Sequence, residues 1–207
     1  MDARAWDERY AAAELVWSAT PNQFVAREVA DLAPGRALDL AAGEGRNALW
    51  LAGRGWHVTA VDFSRAGLDK GRALEEHHRP DEPVRWVHAD VLTYDAEPAS
   101  YDLVLLAYLQ LPEAERRTAV RRGFAALREG GTFLLVAHDS TNLTEGTGGP
   151  QDPDVLYTAE EVLSDLDGER FEVLTADRVA RTVGGGDDHR GSDGRTAWDC
   201  LVRLVRD

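Results

Sequence analysis

The chain is short of several residues whose abundance would redirect its reading. Cys200 is the only cysteine in 207 residues, so no intrachain disulfide can form and nothing points to an oxidising compartment. Lys70 is the only lysine, and the arginines are scattered among 37 Asp and Glu, leaving a formal net charge of −14. Such a chain repels phosphate backbones, and no basic run interleaved with aromatics is set apart, so a nucleic-acid partner is disfavoured. No apolar run approaches the ~20 residues needed to span a bilayer. The first residues, Met1 to Asp7, are polar where a signal peptide would be apolar. A cytoplasmic protein with a small-molecule partner and no membrane partner is expected, as monomer or homodimer. The length suits one domain, or one with a small addition.

What the chain does have is a concentrated signal between Ala37 and Asp62. Ala37-Leu38-Asp39-Leu40-Ala41 reads as a buried strand, followed by a tight glycine turn and a helix opening at Gly45. A Cβ at Gly43 or Gly45 would fill space close to a ligand, and the helix turns its first free N–H groups toward the same space. Asp39 is a charge near the end of an apolar strand. Nineteen residues past Gly43, the strand Trp56 to Asp62 ends on a second carboxylate. Strand, Gly-x-Gly, helix, strand and acid form a nucleotide-binding layout, with the acid placed for ribose hydroxyls. Gly43-x-Gly45-x-x-Ala48 also fits the dinucleotide fingerprint, so NAD stays open on this motif.

Asp39-x-x-x-Gly43-x-Gly45, then Asp62, then Asp90 after a third strand, resembles the class I S-adenosylmethionine-dependent methyltransferases. Position 41, often glycine in that family, is Ala41. The resemblance implies an α/β fold: a Rossmann-like, seven-stranded, mostly parallel sheet with an antiparallel last strand and helices on both faces. It implies S-adenosylmethionine as cofactor and S-adenosylhomocysteine as product. The turn of Ala41, Gly43 and Gly45, with Asp39, Arg46 and Asn47, would approach the methionine moiety. Asp62 would hold the ribose, with Phe63 and Ser64 following it toward the adenine. Asp90, with Val91, would hold the adenine amino group, and Ala107 and Gln110 would line the pocket. Trp6-x-x-x-Tyr10, followed by Trp17 and Pro21-Asn22, is similar to small methyltransferases of the tellurite-resistance and thiopurine type, which adds Trp17 to the cofactor contacts. The resemblance implies one domain over 1–207, with cap helices in 1–34, a cofactor half in 35–138, and an acceptor loop and hairpin in 139–207. An NAD(P)-dependent oxidoreductase is weakened by the short chain and by Asp90. A non-catalytic protein retaining the fold is the other alternative.

Elsewhere the patterns are plain. Asp2 to Ala13 reads as a helix with Trp6 and Tyr10 on one face, able to dock on the core or to cap the cofactor. A second helix runs from Pro21, in its first turn, to Leu32. Ser64 caps a helix over 65–78. Val84 to His88 is a third strand, Tyr101 to Ala107 a fourth, apolar almost throughout as a doubly covered strand should be. Glu113 to Arg128 is a helix ended by Glu129-Gly130-Gly131, and Thr132 to Asp139 a fifth strand. Ser140 to Tyr157 lacks periodicity and reads as an acceptor-site lid. Thr158-Ala159-Glu160-Glu161 is a capping box. Two strands, Phe171 to Val183 and Thr196 to Val205, close the chain as a hairpin. Asp187, Asp188, His189 and Asp193 at its tip fit no ligand spacing, so no metal is expected, and Cys200 reads as a buried small hydrophobe.

Methyl transfer from a sulfonium needs binding, exclusion of water and alignment of the acceptor, so a base is optional. His138 ends the fifth strand and is the candidate base, with Asp139 to orient it or to bind an amine. Tyr108 and Gln110 are expected to shape the acceptor pocket. The acceptor, a thiol or chalcogen or the oxygen or nitrogen of a metabolite, is not written in these motifs.

Overall fold

The computed structural model describes residues 3–12, 20–78, 80, 82–183 and 194–207. The parallel core forms because β1 (Arg36–Leu40), β2 (His57–Asp62) and β4 (Tyr101–Ala107) are apolar runs buried on both faces. β3 (Arg85–His88), β5 (Leu127–His138), β6 (Phe171–Val183) and β7 (Arg195–Arg206) complete a seven-stranded sheet in the order β3-β2-β1-β4-β5-β7-β6. β7 is antiparallel to both its neighbours and the other pairings are parallel, as expected from the sequence.

Helices α1 (Ala3–Ala11), α2 (Gln23–Val29), α3 (Arg46–Ala52), α4 (Arg65–His78), α5 (Glu113–Ala126), α6 (Asn142–Glu145) and α7 (Ala159–Asp165) surround the sheet. One apolar layer packs Phe24, Ala48, Leu51 and Trp56 against Ala37 and Leu105. The opposite layer packs Phe124, Tyr157 and Val162 against Leu38, Leu40 and Phe133. The helix over 65–78 and the capping box at Thr158 match the sequence reading, with Thr158 and Glu161 each bonding the other's backbone N–H. Among the described residues no helix is long and apolar enough to cross a membrane.

Three expectations are corrected. Pro21 does not open α2: Asn22 is its N-cap, the side chain accepting from the N–H groups of Phe24 and Val25. The segment over Glu129-Gly130-Gly131 is not a simple stop. β5 already begins at Leu127, which pairs with Tyr101, and an irregularity absorbs the extra residues before Thr132 pairs with Leu103. The stretch after β5 is not structureless either, since it holds α6 and a 3₁₀ turn at Pro153–Val155. Trp17 and the hairpin-tip acids lie outside the described residues.

Candidate functional site

The strand order reverses direction between β1 and β4, and a crevice at the carboxyl ends of such strands is where open α/β sheets bind ligands. Backbone strain is concentrated there. Ala41 after β1 has φ 61° and Tyr108 after β4 has φ 58°, left-handed conformations that cost a non-glycine residue about 1–2 kcal/mol each.

The turn between β1 and α3 is held by its surroundings. Asp62 accepts from the Gly43 N–H at 2.8 Å and from the Ser64 N–H at 2.7 Å, so one carboxylate joins the glycine turn to the start of α4. Burial pushes the Asp62 carboxyl above its ordinary value against the pull of those two donors. Gly45 corrects the sequence reading: the space beside it belongs to the chain itself. An added Cβ would stand 2.2 Å from Cη2 of Trp86, whose indole also presses on Gly71. The left-handed φ of 76° at Gly45 independently favours glycine.

Asp39 is the anomaly of the site. It is 1% exposed, and neither carboxylate oxygen has a hydrogen-bond partner. Burial first, and the nearby Asp62 charge second, push its carboxyl up to about 8; the Arg46 guanidinium and the Ala48 N–H pull the other way without forming an aligned bond. Buried carboxylates are ordinarily paired.

The other residues expected to contact a cofactor have these surroundings. Asn47 accepts the Asn22 N–H at 2.9 Å. Phe63 is half-buried and its carbonyl accepts from His88. Asp90 is exposed and its Oδ1 accepts the Leu92 N–H in an Asx turn. Val91 is buried and Ala107, at the end of β4, is half-buried. Helix α1 sits over α4: Asp7 accepts from the Ser64 hydroxyl and the Ala66 N–H, and Lys70 donates to the Tyr10 carbonyl and to Glu44. A Cβ on Gly67 would meet both the Gly43 carbonyl and the Tyr10 ring, which places Tyr10 beside the turn.

A second cluster stands at the ends of β4, β5, β6 and β7. In the β5–β7 register His138 lies opposite Asp199. Asp199 is fully buried; its Oδ2 accepts the Tyr108 hydroxyl at 2.8 Å and Arg181 Nε at 2.7 Å. Its Oδ1 stands 3.2 Å from His138 Nδ1, an ion-pair distance without good hydrogen-bond alignment. Burial raises the Asp199 carboxyl, but His138 and Arg181 together outweigh it and hold it below the ordinary value. Asn22 Nδ2 donates to the Tyr108 hydroxyl at 3.3 Å, so Asn47, Asn22, Tyr108 and Asp199 form one hydrogen-bonded chain.

This geometry corrects one expectation. The carboxylate that faces His138 is Asp199, not Asp139, whose Oδ1 is taken by the Thr141 N–H and hydroxyl. Gln110 donates to the Val155 carbonyl and accepts the His138 N–H. Sequence reading missed Asn22, Arg181 and Asp199 as site residues. The signal available was an acid in the middle of Trp198-Asp199-Cys200-Leu201-Val202, an otherwise apolar strand.

Residues 37–131 match the family model described as a methyltransferase domain. That segment belongs to the methyltransferase-domain family. Over 109 residues the chain is 35% identical to a demethylmenaquinone methyltransferase of Clavibacter sepedonicus, covering 53% of this chain and 43% of that protein. The chain spans about half the length of the curated relatives it matches. A solved structure described under the conversion of a disulfide bond into a thioacetal group during echinomycin biosynthesis superposes with a TM-score of 0.76 at 21% identity, covering 99% of this chain and 92% of that one. TehB from Haemophilus influenzae follows at 0.71 and 17%, covering 90% and 63%. At these identities the likeness shows the fold. Asp39, the glycine turn, Asp62, Asp90 and Tyr108 lie inside the matched methyltransferase segment, whereas Asn22, His138, Arg181 and Asp199 lie outside it.

Proposed function

We propose that the protein transfers a methyl group from S-adenosylmethionine to a small-molecule acceptor. The observation that carries this reading is Asp39, a sealed carboxylate without a partner beneath the glycine turn. The methionine ammonium is a cation of the right chemistry to satisfy it. A dinucleotide would instead bring an anionic pyrophosphate to the turn and offer Asp39 no cation to pair with. Asp62 would hold the ribose and Asp90 the adenine amino group. The bound cofactor supplies an activated methyl group. The chain's own residues bind and orient, and the segment from α6 to α7 excludes water on the acceptor side.

A net charge of −14 supports a small acceptor over a nucleic acid. We read the chain as a single cytoplasmic methyltransferase domain, divided into cap, cofactor half and acceptor half as the sequence suggests.

Calorimetric titration with S-adenosylmethionine, S-adenosylhomocysteine and NAD(H) in parallel tests the proposal. Binding of the adenosyl pair alone is expected. Asp62→Ala should weaken it by about 10–100-fold, because a charge-assisted bond contributes about 1.5–3 kcal/mol and the turn loses its anchor. Binding of NAD(H) alone would overturn the reading, and binding of none would favour a non-catalytic role.

A further inference from the structure

We propose that Asp199 is the positioning residue for His138, fixing the imidazole with its proton on Nδ1 and leaving Nε2 to take a proton from the acceptor. The proposal rests on the methyl-transfer reading and adds a substrate class to it: an acceptor that arrives carrying its proton, as a hydroxyl, thiol or N–H. A carboxylate or chalcogen oxyanion, already ionised, has no use for the arrangement.

The placement is built into the sheet. His138 is the last residue of β5 and Asp199 its register partner on β7, so the backbone pairing itself brings the two side chains together. Tyr108 and Arg181, arriving from β4 and β6, both donate to Asp199 Oδ2. Oδ1 is left turned toward His138 Nδ1, 3.2 Å away. The Asp199 side chain is fully buried while that of His138 is 10% exposed, so the imidazole is the more accessible end of the pair. The ring is also held by shape. The Tyr108 ring lies 4.9 Å from it, and Gly149 comes so close that a Cβ would stand 2.9 Å from Cδ2. Gln110 fixes the His138 backbone. The charged and titratable groups against the imidazole are therefore Asp199, Tyr108 and, through Asp199, Arg181.

An imidazole facing an ionised carboxylate keeps its proton on the facing nitrogen, because a lone pair there would meet the negative oxygen. Proton uptake at Nε2 then makes an imidazolium beside a carboxylate that Arg181 already stabilises in its charged form. In the reaction the acceptor's X–H bond breaks, its proton passing to Nε2 and its electron pair forming the X–CH₃ bond. The pair of the methyl–sulfonium bond stays on sulfur as the neutral thioether.

The test is a long-range ¹H–¹⁵N correlation spectrum of the full chain labelled on histidine, recorded without ligand at a pH where His138 is neutral. The His138 signals are assigned by their loss in His138→Gln. The wild-type ring is expected as the Nδ1–H tautomer. In Asp199→Asn the side-chain amide donates to Nδ1, and the pattern should switch to Nε2–H. An Nε2–H ring in the wild type would overturn the proposal without any variant, and so would an unchanged tautomer in a folded Asp199→Asn. The spectrum does not depend on the cofactor. A wrong tautomer in a protein that binds S-adenosylmethionine therefore removes only this inference, and the expected tautomer in one that does not bind it removes only the proposed function.

Discussion

Asp39→Asn is expected to make the ligand-free protein melt higher at pH 8 to 9 while weakening S-adenosylmethionine binding by about 10²-fold or more. The two effects have one cause. The Asp39 carboxyl is pushed up to about 8 in the folded chain, against about 3.9 in an unfolded one. The folded protein therefore keeps a proton that the unfolded chain has released. By linkage, the stability this group contributes is full below pH ~4 and is lost as pH rises toward 8. Each unit of that displacement is worth about 1.4 kcal/mol. Asparagine has no such dependence, so the difference in melting temperature between variant and wild type should be smallest near pH ~4 and widen with pH, by about 2–4 °C for each kcal/mol relieved. Binding moves the opposite way, since removing one partner of a desolvated charge pair typically costs about 2–5 kcal/mol. Scanning calorimetry across pH and titration with the cofactor at pH 8 read the two halves separately. A pH-independent difference in melting would contradict the burial argument, and unchanged affinity would contradict the assignment of Asp39 to the methionine ammonium.

Gly45→Ala should lower stability by about 2–5 kcal/mol, roughly 10 °C in melting temperature. Alanine at a φ of 76° costs about 1–2 kcal/mol, and overpacking adds about 1–3. The new methyl would stand 2.2 Å from Cη2 and 2.6 Å from Cζ3 of Trp86. The indole is held in place: its Nε1 donates to Glu75 at 2.7 Å, and Gly71 already lies against the same Cη2–Cζ3 edge that the new methyl would meet. Gly53→Ala is the matched control, because Gly53 has a φ of −64° and the nearest atom to its added Cβ is at 3.5 Å. Equal melting of the two variants would show that the turn does not depend on that contact.

The two variants also mark where sequence reasoning succeeds and where it stops. The chemical signal around Asp39 and the need for glycine at 45 were legible, because a strand pattern, a turn and an acid are local features. The reason for Gly45 was not, since Trp86 is 41 residues away and only the β2–β3 pairing brings it across. The same limit explains Asp199. In sequence it alternates with Trp198 and Cys200 and reads as the outward side of a strand. β7, however, sits between β5 and β6, and its Asp199 and Leu201 are as buried as Cys200 and Val202. An acid on a strand covered on both faces has to find partners. His138, Tyr108 and Arg181 come from three other strand ends that no local pattern connects. Asp139 looked suitable because it is adjacent in sequence, but β5 ends at His138 and the Asp139 carboxylate turns to the Thr141 N–H and hydroxyl.

The segment between β5 and α7 has a consequence for how such a protein diversifies. Asn142 accepts the Trp198 N–H and donates to the Gly148 carbonyl, Arg178 holds Glu145, Gln110 holds the Val155 carbonyl, and Gly149 rests on His138. A segment fastened to β6, β7 and the end of β4 is a wall rather than a door. It cannot be exchanged between lineages as a cassette, because its fasteners are distributed over the rest of the chain. On the proposed methyl-transfer reading, acceptor range is then expected to drift through single substitutions on the inner surface of this wall, with its length and its anchoring residues inherited together.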